Sequence, residues 1–180
     1  DFTKLKRKKS KQLETFLEDN ADFEYLKKSE YTLLNKSFVK EQESGLIFVG
    51  YRNKEGFKRG IRENTKHLNR VHRQPNRIYS TNGYHPTLPS QESSGRFFIY
   101  RESEGKVRKL TIKECYSIMG FPKNFIYHNK SGLRYRQIGN AVAVNITKEI
   151  AKQIISQNLL DDKFKHSYNS LDKIMFRDHG

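Results

Sequence analysis

The sequence predicts a mixed α/β chain, with short strands over its first two thirds and helices in its last third. Three observations carry this expectation. A short apolar run between glycines, Gly45-Leu46-Ile47-Phe48-Val49-Gly50, reads as a buried strand. The runs Arg96 to Tyr100 and Lys106 to Leu110 flank the turn residues Glu104 and Gly105, which predicts a hairpin. Val142, Ile146, Ile150 and Ile154 recur every fourth residue, the spacing of one helical face.

In chain order, the dense charge from Asp1 to Lys11 reads as the start of a solvated, basic lead-in. Leu13, Phe16, Leu17, Tyr25 and Leu26 add only a weak helical or turn-like pattern to it. The strand at Gly45 to Gly50 opens the central body. Between Tyr51 and Arg77 the cations Arg52, Lys54, Lys58, Arg59, Arg62, Lys66, Arg70, Arg73 and Arg77 face only Glu55 and Glu63, and weak periodicity there predicts loops and short strands. Pro75, Gly83, Pro86, Pro89 and Gly95 punctuate the next stretch, and Ser90 to Gly95 has the composition of an exposed contacting loop. After the hairpin, Thr111 and Glu114 form a capping box: the threonine hydroxyl satisfies an orphan amide and the glutamate reaches back. That helix is expected to reach Met119 and stop at Gly120, with Pro122 beyond. A polar loop follows, then a helix beginning just after Gly139 and Asn140 and closed by Leu159 and Leu160. The tail from Asp161 to Gly180 is polar and without pattern.

A chain of 180 residues suffices for one domain or slightly more. Its 12 Phe and 10 Tyr argue against wholesale disorder despite 31% charged residues. Lysine and arginine outnumber acids 35 to 20, a net charge of +15, which points to a polyanionic partner and to nucleic acid first. The single cysteine, Cys115, excludes a disulfide framework and a multi-thiolate zinc site and suits a reducing, cytosolic compartment. Because Ile112 and Ile118 flank it at helical spacing, Cys115 reads as a small buried apolar side chain rather than a nucleophile. His67 and His72 lack the spacing of a metal pair, so no metal is expected. No apolar run approaches the roughly 20 residues a membrane span needs. There is no P-loop, dinucleotide-type glycine pattern or Gly-x-Ser-x-Gly elbow. The opening at Asp1, without methionine, is what a processed or truncated chain or a fragment would show.

Two segments, Arg108 to Pro122 and Tyr135-Arg136-Gln137-Ile138-Gly139-Asn140-Ala141-Val142, resemble in order and separation the ninth and tenth conserved motifs of DNA cytosine-5 methyltransferases. Lys113 and Ser117 stand where that family often has arginine, Met119 where glutamine is common, and Ala143 and Asn145 where proline is common. Upstream, Arg77-Ile78-Tyr79-Ser80, with Tyr79 and Ser80 read as a turn, Gly83 and Pro86-Thr87-Leu88 resemble the family's target recognition domain. The resemblance covers about residues 12 to 160. It implies a small strand-rich recognition domain at 45–106, preceded by the connector 1–44. Residues 107–160 would complete a Rossmann-like S-adenosylmethionine-dependent methyltransferase domain, and 161–180 form the tail.

The resemblance also implies the chemistry. The target cytosine is flipped out of the duplex because its ring is unreachable inside the stack. A cysteine thiolate adds at C6, and C5 takes the methyl of S-adenosylmethionine before elimination releases the thiolate. The glycine-rich cofactor strand, the Pro-Cys nucleophile, and the Glu-Asn-Val and Gln-x-Arg-x-Arg segments are not found here. The chain therefore reads as the C-terminal part of such an enzyme, inactive alone, with no catalytic residue of its own. Its expected partners are double-stranded DNA and the missing N-terminal catalytic part, in the bacterial cytoplasm at the nucleoid, as in a restriction-modification system.

By position in the motif, Gln74 would fill the space left by the flipped cytosine and Arg77 would read guanine, where a bidentate contact in the major groove is worth about 1–3 kcal/mol. The plainer readings are an exposed loop residue for Gln74 and a phosphate clamp for Arg77. The remaining DNA-contact candidates are Arg59, Arg62, Arg73, Tyr79, Ser80, Thr87, Leu88, Ser90, Gln91 and Ser93; Asn140, Ala141 and Val142 are the cofactor candidates. A plain turn packing a terminal helix is the alternative for the latter three. Two rivals have a different character: a non-catalytic DNA-binding module or recognition subunit of a split enzyme, and an RNA-binding protein whose interleaved Tyr and Phe would stack on bases.

Overall fold

The computed structural model describes residues 11–53, 74–92 and 95–156. The first ten residues, the basic stretch 54–73, Leu159, Leu160 and the tail lie outside them. The expected mixed α/β class is what the chain adopts. Five strands form one sheet in sequence order: β1 (Tyr31–Leu33), β2 (Phe48–Arg52), β3 (Arg77–Ser80), β4 (Phe98–Arg101) and β5 (Lys106–Lys109). All neighbours are antiparallel except β3 and β4, which run parallel with Tyr79 opposite Ile99. Three helices follow: α1 (Ile112–Ile118), α2 (Ser131–Asn140) and α3 (Val144–Ser156).

The sheet has to curl. Residues Glu24 to Leu26 pair with the outer edge of β5, through Leu26 N–H to the Val107 carbonyl at 2.9 Å and Lys109 N–H to the Glu24 carbonyl at 2.9 Å. Five residues later Tyr31 pairs with Arg52 at the opposite edge. Five extended residues reach about 17 Å, whereas five flat inter-strand steps need about 24 Å. The chain joins the two edges only because twist brings them together.

Strand β4 is covered on both faces, and its alternation sorts the core into two layers. Phe97 and Ile99 face Leu13, Leu88, Leu110, Cys115, Tyr116, Tyr135 and Ile138, the layer closed by the helices. Phe98 joins Val49, Ile78 and Val107 on the other side. The β4–β5 hairpin stands where expected, with Gly105 at φ 62° in its turn. Strand β2 starts three residues later than the Gly45 run predicts. Gly45 (φ 75°) instead closes a turn with Gln42 at 2.7 Å, and pairing with β1 and β3 carries the strand on to Arg52.

Helix α1 follows its local signals. Thr111 Oγ1 accepts from Glu114 N–H at 3.1 Å and Glu114 accepts from Thr111 N–H at 2.8 Å. Its end is a Schellman motif: Gly120, at φ 81°, donates to the Ser117 carbonyl, and Phe121 donates to Tyr116.

Three expectations are corrected. The lead-in is exposed over most of its described residues, as expected, but Leu13 is not: it is 1% exposed, because its N–H and that of Glu14 bond the carbonyls of Gly83 and Thr81 and draw it into the helix-side core. Tyr79 and Ser80 form no turn; they are the buried end of β3 beside β4. The loop expected before the last helix is helix α2, and Gly139 and Asn140 are its final residues, so α3 begins at Val144. Among the described residues no helix is long and apolar enough to cross a membrane.

The fold's most demanding interaction joins β5 to α1. Arg108 and Glu114, both 0% exposed, form a two-armed ion pair at 2.9 and 2.8 Å. Glu114 also accepts from Glu18 N–H at 2.9 Å, and the Arg108 guanidinium lies 4.1 Å from the Phe23 ring centre. One carboxylate thus serves a strand, a helix cap and the N-terminal segment together. His85 is a second buried titratable group. Burial lowers its pKa from 6.5 to about 4, although the carbonyls of Pro86 and Arg96 pull the other way.

Removing one member of a buried pair leaves the other uncompensated. Glu114→Ala should therefore lower the unfolding free energy, measured in urea, by about 3–5 kcal/mol, while the apolar double variant Arg108→Met with Glu114→Leu should recover most of that loss. For His85, the unfolded chain takes up its proton near pH 6.5 and the folded chain only near 4. The unfolded state binds more protons in between, so stability is full above pH 6.5 and falls as pH drops toward 4. The difference in unfolding free energy between wild type and His85→Gln should accordingly change by about 1–3 kcal/mol across that window and stay flat above it.

Candidate nucleic-acid interface

The residues expected to read DNA divide into a framework and a displayed set. Gln74 opens a short 3-10 turn, Gln74–Asn76, that delivers the chain into β3. Arg77, the first residue of β3, is half-buried, pairs with Tyr51 across the sheet, and holds its guanidinium 5.3 Å from the Phe48 ring centre. Tyr79 meets the same ring edge-on at 6.2 Å and is 2% exposed. Ser80 is 1% exposed: its hydroxyl donates to Glu102 and accepts from Asn82 N–H at 3.1 Å. Leu88 lies in the helix-side core. Tyr79, Ser80 and Leu88 are therefore committed to internal contacts. Thr87 and Gln91 are exposed and Ser90 is half-buried. Arg59, Arg62, Arg73 and Ser93 lie outside the described residues.

Two close backbone approaches lock the displayed loops onto the framework. Gly95 (φ 69°) sits against Pro75, so that an added Cβ would run into the Pro75 carbonyl. Arg96, also left-handed at φ 67°, donates its N–H to that same carbonyl at 3.3 Å. The turn carrying Gln74 and the end of the Ser90 loop thus form one surface. Beneath it, Asn76 is 2% exposed and its Oδ1 has no hydrogen-bond partner, as is true of Arg96 Nε. The second approach is at Gly139, where an added Cβ would collide with the backbone of Pro89 and Ser90. Neither Asn76 nor Arg96 is singled out by the sequence; Gly95 is visible there only as punctuation.

Charge completes the anchoring of this loop. Lys109 donates to Glu92 and, at 3.3 Å, to Glu24. Burial opposes the lysine's charge, but the bond to Glu92 and the nearby carboxylates outweigh it and raise its pKa. Tyr135 reaches Glu92 at 3.4 Å, and burial pushes its phenol up to about 12, which keeps it a donor. Cys115 is fully buried, and burial first, then the neighbouring Glu114, pushes its thiol well above the ordinary value. Such a thiol is not poised as a nucleophile.

The cofactor candidates sit at the α2–α3 break. Asn140 ends α2 and is exposed, Ala141 is half-buried, and Val142 is 68% exposed. With Gly139 and Asn140 inside α2, their amides are not those of a helix start; Gly139 serves the contact with Ser90. An exposed amide beside exposed methyl groups can offer S-adenosylmethionine a hydrogen bond and an apolar contact. These residues therefore fit one wall of a site.

A family model described as C-5 cytosine-specific DNA methylase matches residues 1–156. Among curated proteins, the type II methyltransferase M.HhaI of Haemophilus parahaemolyticus is 35% identical over 86 residues, 45% of this chain and 25% of its own length. M.NgoPII of Neisseria gonorrhoeae is 44% identical over 75 residues, 39% of this chain and 21% of its own. M.MspI of Moraxella is 42% identical over 64 residues, 36% of this chain and 15% of its own. The aligned part of this chain thus spans about a quarter or less of each of these relatives. The family match, by contrast, reaches from the first residue through α3 and takes in the sheet, the capped helix and the loop-bearing turn, and the chain belongs to the C-5 cytosine-specific DNA methylase family.

Proposed function

We propose that this chain is the DNA-reading and C-terminal closing part of a DNA cytosine-5 methyltransferase of a restriction-modification system, acting on double-stranded DNA in the bacterial cytoplasm. The observation that carries the proposal is the joined surface at Pro75, Gly95 and Arg96, where the turn that opens at Gln74 and leads into Arg77 meets the backbone that follows the displayed loop of Thr87, Ser90 and Gln91. Arg77 can fork onto a guanine edge, and Gln74 can hydrogen-bond the base orphaned when cytosine leaves the stack. Buried Tyr79, Ser80 and Leu88 hold this surface and do not touch DNA. Arg59, Arg62 and Arg73 contribute the electrostatic, sequence-blind share of binding, and Ser93 is a further DNA contact.

Asn140, Ala141 and Val142 form part of the S-adenosylmethionine site, and the cofactor supplies the methyl group that C5 receives. The thiolate that adds at C6 comes from the part of the enzyme beyond this chain, since Cys115 is buried. Along α3, Ile146, Ile150 and Ile154 are 58%, 37% and 36% exposed and continue the apolar stripe from Val142. An exposed apolar stripe of this kind on a helix is a surface waiting for a partner, and the occupant we assign is the catalytic part. Residues 45–106 then read DNA and 107–160 close the catalytic domain, although the division falls inside the β4–β5 hairpin and both halves share one sheet. A recognition subunit of a split enzyme would use the same surfaces.

Two outcomes test this reading. In enzyme assembled with the catalytic part, Arg77→Ala should cost about 1–3 kcal/mol in kcat/KM on the preferred site and much less on a site with one guanine replaced. Equal losses on both would make Arg77 a backbone contact. Ile146→Asp with Ile150→Asp, placed on an exposed face, should leave the melting temperature of the chain alone within a few degrees yet abolish co-purification with the catalytic part and methyl transfer. Assembly at wild-type yield would remove α3 from the seam.

A further inference from the structure

Between Glu114 and Glu149 the chain carries Lys123, Lys130, Arg134, Arg136 and Lys148 and not one aspartate or glutamate. Helix α2 lies inside this acid-free stretch. Its first half and the displayed loop enclose an open groove of about 710 Å³, lined by Ser90, Gln91 and Glu92 on one side and by Lys130, Leu133 and Arg136 on the other, with Gly132 between. The charges around it are not equivalent. Glu92 is taken up by Lys109 and Tyr135. Arg134 is turned back on its own loop, donating to the carbonyls of His128 at 2.6 Å and Asn129 at 2.8 Å, with the Tyr127 ring centre 4.9 Å away. Lys130 and Arg136 are exposed, and neither side chain has an ion pair among the described residues.

The groove therefore presents two uncancelled positive charges on its helical wall and neutral hydrogen-bonding side chains on its loop wall. Its walls are fixed to each other, because Gly139 at the other end of α2 packs against the backbone of Pro89 and Ser90. We infer that this groove seats the sugar–phosphate backbone of duplex DNA, with Lys130 and Arg136 holding phosphates next to the bases met by the Thr87–Gln91 loop. The inference rests on the DNA-reading assignment above and adds a surface to it, contributed by the closing helices rather than by the recognition loops. The occupant follows from charge complementarity and from continuity with that loop. Phosphate contacts carry no sequence information; they set register and orientation, so α2 would fix where along the duplex Arg77 and Gln91 come down.

The test measures binding of the whole chain to mixed-sequence duplex DNA by fluorescence anisotropy across a salt series. Removing one cation that neutralises a phosphate should lower the slope of log K against log salt by roughly 0.9. Lys130→Ala with Arg136→Ala should therefore weaken binding about tenfold or more at low salt and flatten the slope by about 2, with site preference in the assembled enzyme unchanged. A control that removes the same charge elsewhere, Lys28→Ala with Lys123→Ala, should stay within about twofold of wild type. All four side chains are exposed, so matching thermal melts confirm intact folds. Equal losses in the two double variants, or an unchanged slope in the first, would overturn the groove while leaving the recognition loops standing. Absence of duplex binding by wild type, or a clear preference for RNA hairpins, would overturn both readings.

Discussion

Burying a carboxylate and a guanidinium together is costly, and the pair at Arg108 and Glu114 persists because geometry and neighbours satisfy it almost completely. Both oxygens of Glu114 are used twice: by the two arms of the arginine, by the amide of Thr111 at the head of α1, and by the amide of Glu18 on the incoming segment. The arginine donates once more to the Lys109 carbonyl and stacks on Phe23. β5, α1 and the N-terminal segment are thereby fixed at one point, and the helix-side core containing Leu13, Phe97 and Ile138 is assembled around it.

From that fixed point the displayed surface is built by close packing of backbone. Gly95 against Pro75 and Gly139 against Ser90 are contacts that any side chain would prevent, and each ties a loop to an element anchored in the core. The neighbouring family-motif residues serve the same end. Tyr79, Ser80 and Leu88 spend their side chains on Phe48, Glu102 and the helix-side core, and so hold Arg77, Thr87 and Gln91 in place from beneath. A motif shared across the family need not be a contact motif at every position.

What the sequence discloses follows from how local each interaction is. The capping box at Thr111 and Glu114, the Gly120 stop and the Gly105 turn are interactions across a few residues, and all three are legible. Helix α2 is not, because Gly132, Gly139 and Asn140 are poor helix formers and only Tyr135 and Ile138 are buried. It is held by distant partners such as Tyr116, which donates to Gln137 at 2.8 Å. The burial of Leu13 depends on Gly83 and Thr81, some 70 residues away, and the strand character of Arg77 to Ser80 depends on β4. The candidate site shows the same division: Gln74 and Arg77 are findable by motif, whereas the junction of Gly95, Arg96 and Asn76 exists only once the loops meet.

On the proposed reading, a rigid body centred on Arg108 and Glu114 presents pre-set loops to DNA. Hydrogen exchange of the chain with and without duplex DNA addresses it directly, amide by amide. Among the described residues, Glu18, Thr111 and Glu114 should exchange only through global unfolding, at the same rate in both states, while new protection on DNA binding should be confined to 74–77, 87–91 and the start of α2. Protection spreading into β5 and α1 on binding, or fast local exchange at Glu18 and Thr111 in the free chain, would contradict it.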